Sequence, residues 1–486
     1  MYYGIGINKL YMKQLIFVFT LLISSYITNA QMQNIDVVIE NINIVDIVGN
    51  KIIPNQTIYI QKDKIVGVEQ YSLSKKTTYN KQKINGKGKF IMPSLWDMHV
   101  HFGGDTLIEE NKMLLPLYIA MGISHVRDCA GDISPSVIEW KKAIQNNQLM
   151  GPTIFTSGPK LEGIKSIWPG DLEIGNEIEM NKALDSLQKL QVDFIKITDN
   201  TLAPELFLKS IQAARARGWK VTGHVPASMN VDVFSRNGLS AIEHIGYLQR
   251  AASKKEDSIT IWRSNGKINN REASELYLKS FDSITAMKKF KQLALNGTAV
   301  VPTINGSYVT TYLDINNHQN DEYLKYLGPA LKRTYGWRVQ RAASDNQEAI
   351  QFRHQNFEAA ASLLPLLYKA GVTILAGTDA GYLNSFNYPG IGMHHELAIM
   401  VKYGLTPQEA LLCSIVNGPA FFNQSAEYGS VALNKKADLL ILNKNPLEKI
   451  ENTQTIDGVI RKGDYLNRHQ LDTILLELEL KVKQLK

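Results

Sequence analysis

Eight short β-rich runs recur along the middle of this 486-residue chain, and helical segments separate most of them. The runs are LWDMHVH (95–101), ISHVRDC (123–129), PTIFTSG (152–158), VDFIKIT (192–198), WKVTGHV (219–225), AIEHIG (241–246), TAVVPTI (298–304) and VTILAGTD (372–379). Stretches such as EIEMNKALDSLQKLQ, APELFLKSIQAARARG and NFEAAASLLPLLYKAG carry apolar residues at helical spacing between them. Gly122, Gly218, Gly297 and Gly371 close helices just before the next strand. Strand–helix alternation implies a parallel sheet. Eight units over residues 93–424 suit an α/β fold of the (β/α)8 TIM-like barrel type with insertions. An open doubly wound sheet is the alternative. It is disfavoured because no Gly-x-Gly-x-x-Gly turn follows the first strand. The connections 248–297 and 306–348 are longer than a crossover needs, and barrel loops after strands build the mouth of a site. Selectivity is expected there.

The two ends of the chain read differently. NIDVVIENINIVDIVG, QTIYIQKDKIVGVE and KINGKGKFIM near the start, and GSVALNKKADLLILNKNP and IDGVIRKGDYL near the end, read as β-strands. A small β-sandwich assembled from residues 31–92 and 425–466 is the economical reading, closed by a helix over 467–486. Residues 1–30 have a basic start, a short apolar run and a small residue, Ala30, before Gln31. That is the form of a secretory signal peptide, and it predicts a periplasmic or secreted protein. An uncleaved anchor is the alternative. The run is shorter than the ~20 residues of a membrane span, and no later stretch is apolar enough to be one. No stable span is therefore expected once the signal is removed.

The net charge is +7, and removing Lys9 and Lys13 with the signal leaves +5. The basic residues are scattered rather than striped, so no nucleic-acid partner is indicated. The two cysteines, Cys129 and Cys413, build no disulfide framework and read as structural.

The polar residues fall in a pattern. Residues i and i+2 of a strand share a face, so His99 and His101 aim the same way. Lys196 stands in the fourth run, His224 in the fifth, His244 in the sixth and Asp379 at the end of the eighth. Barrel chemistry sits at the C-terminal ends of strands. Each residue alone has a structural reading: a lone His-x-His is weak, a buried lysine usually pairs or snorkels, and an aspartate often caps. Together, on matching ends of a repeated unit, they are hard to explain as packing. Of the other histidines, His125 reads as packing, and His318, His354 and His469 as exposed. His394 and His395, which begin a helix after the eighth run, are candidates to orient ligands. Arg127 and the adjacent Asp128 read as a structural ion pair.

With these residues in place, the chain resembles the amidohydrolase superfamily, within it the imidazolonepropionase-like and prolidase-like metal-dependent hydrolases. The matching stretches are FIMPSLWDMHVHFGG, DFIKIT, TGHVP, IEHIG, AGTDAG, LTPQEAL and YGSVALNKKADLLILNKNP. Ser94 stands where glycine is usual, and LNKKADL replaces a more common Gly-Lys pair, which puts local turns in doubt and not the chemistry. The resemblance implies two divalent metal ions, commonly zinc. His99, His101 and Asp379 would hold one, and His224 and His244 the other. Lys196 would bridge them as a carbamate formed with CO₂, because an ammonium has no lone pair to offer. A metal-bridged hydroxide would attack an amide or peptide carbonyl, and Asp379 would pass the proton to the leaving nitrogen. Tyr247, three residues past His244, is a candidate donor to the substrate carbonyl, with a packed loop tyrosine as the equal alternative. The implied substrate is a small molecule, a dipeptide or N-acyl amino acid, with a cyclic amide or imide as rival. A non-catalytic exported metal- or ligand-binding protein is the reading from another class, and the intact Asp379 argues against it. A homo-oligomer is compatible with all of these.

Overall fold

The computed structural model describes residues 35–74, 78–129 and 131–485. The signal peptide expected over residues 1–30 lies outside them.

Strands from both chain ends share one eight-stranded sheet. Strands β1 (Val37–Asp46), β2 (Lys51–Gln61) and β3 (Lys64–Gln70) form an antiparallel meander, with Val37 opposite Ile60. β4 (Gln82–Asn85) and β5 (Phe90–Pro93) pair parallel to β1. β5 then pairs antiparallel with a strand from the far end of the chain, Leu439–Leu442, with Ile91 opposite Ile441. Alternate residues of that strand go to different cores. Leu439 and Ile441 join Val37, Ile39 and Ile60 in the sheet's own core, while Leu440 and Leu442 join the core of the α/β unit. Both faces are buried, which is why this stretch is apolar without alternation.

The named strands of the α/β unit pair in parallel. β6 (Leu95–His101), β7 (Ile123–Asp128) and β8 (Thr153–Thr156) pair in chain order. β9 (Leu161–Glu162) pairs with β10 (Leu172–Glu173) and with β11 (Ile195–Ile197). β11, β12 (Val221–Gly223), β13 (Ala241–Glu243) and β14 (Ala299–Val301) follow in sequence. This is a TIM-barrel-like α/β fold. The four glycines expected to end helices all have positive φ, between 71° and 88°.

The eighth run departs from expectation. Residues 372–379 form no regular strand: Ile374 makes one parallel bridge to Val300, and only β15 (Ala380–Gly381) pairs with β6. Two features break the repeat. A Cβ on Gly377 would stand 2.8 Å from the His99 nitrogen, so the chain passes too close for a side chain. Asp379 has φ 62°, a left-handed conformation that a strand cannot hold. The run stays attached through Met98 N to Ala376 O at 2.9 Å and Asp379 N to His99 O at 2.7 Å.

The long connections are helical. Residues 248–297 carry the helices Glu256–Ser264, Asn270–Lys279 and Ser283–Leu295, and 306–348 carry Pro329–Thr334 and Gly336–Ala343. After strands β16 (Leu439–Leu442), β17 (Ile456–Arg461) and β18 (Asp464–Asn467), the helix Arg468–Gln484 closes the chain, capped by Asn467 and Gln470. Among the described residues, no helix is long and apolar enough to cross a membrane.

Candidate functional site

The six expected ligands come together. His99 and His101 stand at the end of β6, with ring planes 2° apart and Nε2 atoms 3.1 Å apart. Asp379 Oδ1 lies 3.3 Å from His99 Nε2 and 2.9 Å from His101 Nε2. His224 follows β12 and His244 follows β13, their Nε2 atoms 3.1 Å apart. The rings of His99 and His244 have centroids 5.2 Å apart, so the two groups adjoin. His101, Lys196, His224, His244 and Asp379 line one cavity of about 110 Å³. A wider groove of about 980 Å³ lies over the outer sheet, lined by pairs such as Arg461–Asp438 and Lys436–Asp63, and contains none of these residues.

This donor set fits metal ions. Glu243 Oε2 accepts from His99 Nδ1 at 2.7 Å, which fixes the tautomer and leaves a lone pair on His99 Nε2. That nitrogen has no proton to give His101 or Asp379, although both stand within hydrogen-bond distance. Lone pairs converging in this way call for a cation among them. Lys196 Nζ is buried and has no hydrogen-bond partner, and burial lowers its pKa from the ordinary lysine value. Burial of that kind favours the neutral amine, the form that carries a lone pair. Burial also holds His99, His224 and His244 neutral, with His99 pushed down to about 3 and His244 to about 4. Burial opposes ionisation of Asp379, but the adjacent His101 keeps its carboxyl below the usual range.

The site contains strained backbone. Asp379, His244 (φ 66°) and Thr303 (φ 47°) all adopt positive φ without being glycine. Thr303 Oγ1 lies 2.7 Å from His244 Nδ1. The next two backbone amides, Ile304 N and Asn305 N, both donate to the buried Glu396, which pins the turn that presents Thr303. Asp97 fixes the other side. It accepts from Thr378 N at 2.9 Å and Thr378 Oγ1 at 2.7 Å, and burial pushes its carboxyl up to about 7.

Tyr247 lies beside His224, with ring centroids 5.6 Å apart, and donates its hydroxyl to Asp199 Oδ1 at 3.3 Å. Cys129 is buried at the cavity wall, and burial pushes its thiol up to about 12. Cys129, His99 and Glu243 also cluster, but Arg127 Nη2 donates to both Glu243 oxygens at 2.8 Å and occupies them.

Several expectations are corrected. Arg127 and Asp128 form no ion pair, because neighbours on a strand face opposite ways. Arg127 reaches Glu243, while Asp128 accepts from Phe102 N and Thr156 Oγ1. His394 orients no ligand: its ring bonds Thr453 Oγ1 and Met121 O, tying its helix to the end of the chain. His395 lies against the Tyr323 ring instead. His318 and His354 are partly buried and pair with Asp321 and Asp314. His125 packs as expected, stacked on Trp96 at 3.9 Å. Glu243, Thr303, Asp97 and Arg338 were not singled out by sequence reasoning. Glu243 and Asp97 left a signal, as acids inside otherwise apolar strands next to histidines. Thr303 and Arg338 left none.

The family model described as the amidohydrolase family matches residues 90–466. Ochratoxinase from Aspergillus niger is 23% identical over 390 residues, covering 74% of this chain and 72% of the relative. The structure of a bottromycin amidohydrolase superposes with TM-score 0.70 at 16% identity, covering 92% of this chain and 90% of the other. A Xaa-Pro dipeptidase with bound methionine superposes with TM-score 0.63 at 20% identity, covering 89% and 99%. At these identities the structural likenesses carry the fold, and the match over residues 90–466 carries the family. The chain belongs to the amidohydrolase family and is a hydrolase acting on carbon–nitrogen bonds.

Proposed function

We propose that this protein hydrolyses the amide bond of a small molecule, a dipeptide or N-acyl amino acid, at a two-metal site held by His99, His101, Lys196, His224, His244 and Asp379. The observation that carries the reading is the gathering of imidazole nitrogens and one carboxylate oxygen at a cavity that a buried lysine without a hydrogen-bond partner also lines. Two divalent ions bound there, zinc by the nitrogen-rich donor set, would acidify water and polarise a carbonyl.

The chain's own residues do the rest. Lys196 Nζ adds to CO₂ and loses a proton, giving a carbamate whose two oxygens join the ligand groups. Asp379 meets the histidines through Oδ1, which leaves Oδ2 to carry the proton. Asp379 takes a proton from the water as its oxygen bonds to the carbonyl carbon, and hands that proton to the departing nitrogen as the C–N bond breaks. Tyr247 stands beside His224, where its hydroxyl can leave Asp199 for the substrate carbonyl. The same reading takes the parallel strands as a closed (β/α)8 barrel over 93–424 with a composite β-sandwich from 31–92 and 425–466. The Ile374–Val300 bridge and the shared outer sheet support it. Export through residues 1–30 to the periplasm or beyond belongs to the same proposal.

A panel of dipeptides, N-acyl amino acids and cyclic imides, read by amine release, tests the substrate class. Turnover of cyclic imides alone would replace it. Lys196→Ala is expected to lose most turnover and to regain part of it with a short carboxylic acid such as formate, which can take the place of the carbamate. Wild-type turnover in that variant, with no acid added, would remove Lys196 from the site.

A further inference from the structure

We infer that Arg338 is the anchor for a substrate carboxylate, so that the site reads N-acyl amino acids and dipeptides by their free α-carboxylate. The inference rests on the amide-hydrolase reading and names the residue that selects its substrate.

Arg338 lies in the helix Gly336–Ala343, within the long connection after β14. It is partly buried, and its two hydrogen bonds go to neutral acceptors. Nε donates to Leu383 O at 3.0 Å, and Nη2 donates to Asn384 Oδ1 at 2.7 Å. Neither bond uses Nη1. Among the described residues, no carboxylate oxygen stands within 4.0 Å of this guanidinium. A cation withdrawn from water without an anion is costly, and a ligand that brings the anion recovers that cost. Of the other lysines lining the cavity, Lys160 already pairs with Asp171 at 3.0 Å, and Lys196 lies among the ligands.

The surroundings suit one end of an amino acid. Arg338 borders two cavities that meet at His244 and Asp379. One, about 250 Å³, presents the hydroxyl of Ser307, which can donate to an acceptor-only carboxylate, while Thr310 Oγ1 already donates to Gly306 O at 3.0 Å. The other has Trp168, Pro169 and Leu383 on its wall, an apolar bed for an acyl group or side chain. The two hold the substrate's ends on either side of the reacting groups. Asn384 completes the link: its Nδ2 donates to Asp379 Oδ1 at 3.0 Å while its Oδ1 accepts from Arg338. A carboxylate seated on Arg338 therefore stands at a fixed offset from Asp379.

The test compares N-acetyl-L-phenylalanine with N-acetylphenethylamine, the same amide without the carboxylate. Binding to the zinc-loaded full chain is measured by calorimetry for the wild type, Arg338→Met and Arg338→Lys. The wild type is expected to favour the carboxylate by about 10–100-fold, the range of a charge-assisted bidentate contact. Arg338→Met is expected to lose that preference while binding the neutral amide as before, and Arg338→Lys to keep part of it. A wild type without preference, or Arg338→Met with the preference intact, overturns the inference. If Arg338→Met binds neither probe, Arg338→Lys decides: retained preference supports the anchor, and equal loss of both probes overturns it. Hydrolysis is scored separately. Amide turnover without carboxylate preference removes only the anchor, whereas preference without turnover of any amide removes the hydrolytic reading and leaves the anchor.

Discussion

Asp379→Asn is expected to keep the fold and most of the bound metal and to lose turnover by about 10²–10⁴-fold, the contribution of a positioned acid–base group. The amide is nearly isosteric and can still offer an oxygen to His101 and the Asn384 amide, so the geometry survives. It cannot take a proton. Steady-state rates on the best amide of the panel, with metal content and thermal midpoint measured on the same sample, separate the two effects. Turnover within a few-fold of wild type would take the proton-transfer role away from Asp379. Loss of metal together with activity would make it a ligand first.

The second large effect is on stability. Arg127 is fully buried and donates through Nη2 to both oxygens of the equally buried Glu243. Burial alone would raise the Glu243 pKa, but Arg127 holds its carboxyl well below the usual range. Arg127→Met strands that charge, which costs about 3–5 kcal/mol for a broken buried pair. The double change Arg127→Met with Glu243→Leu removes both charges and is expected to cost less than the single change. It also frees His99 Nδ1, so it should weaken metal binding even where stability recovers. Denaturant midpoints of both variants check the order. A single variant within 1 kcal/mol of wild type, on the scale of an exposed pair, would mean that water reaches this pair.

The parts of this site that were legible in the sequence are those fixed by repetition. The polar residues recur at matching positions of eight similar runs, so His99, His101, Lys196, His224, His244 and Asp379 could be placed together from the sequence. Period-two alternation put His99 and His101 on one face. What was not legible depends on partners chosen across the fold. Arg127 looked like a match for its neighbour Asp128, yet strand geometry separates them and sends Arg127 to Glu243, 116 residues away. The eighth run has the composition of a strand, but the close approach at Gly377 and the left-handed turn at Asp379 override it. His394 carries no mark of the Thr453 hydroxyl that takes its ring nitrogen. Arg338 comes from an insertion with no periodic pattern, where no rule of spacing ties a residue to the strand ends.

Metal content per chain, on protein purified without chelator, tests the shared two-metal site most directly. About two equivalents of zinc or a similar ion are expected. One equivalent would contradict the shared site and leave a single-metal centre at His99, His101 and Asp379. None, even after reconstitution with metal and bicarbonate, would mean that these nitrogens converge on something other than a metal, and the catalytic reading would fall with them.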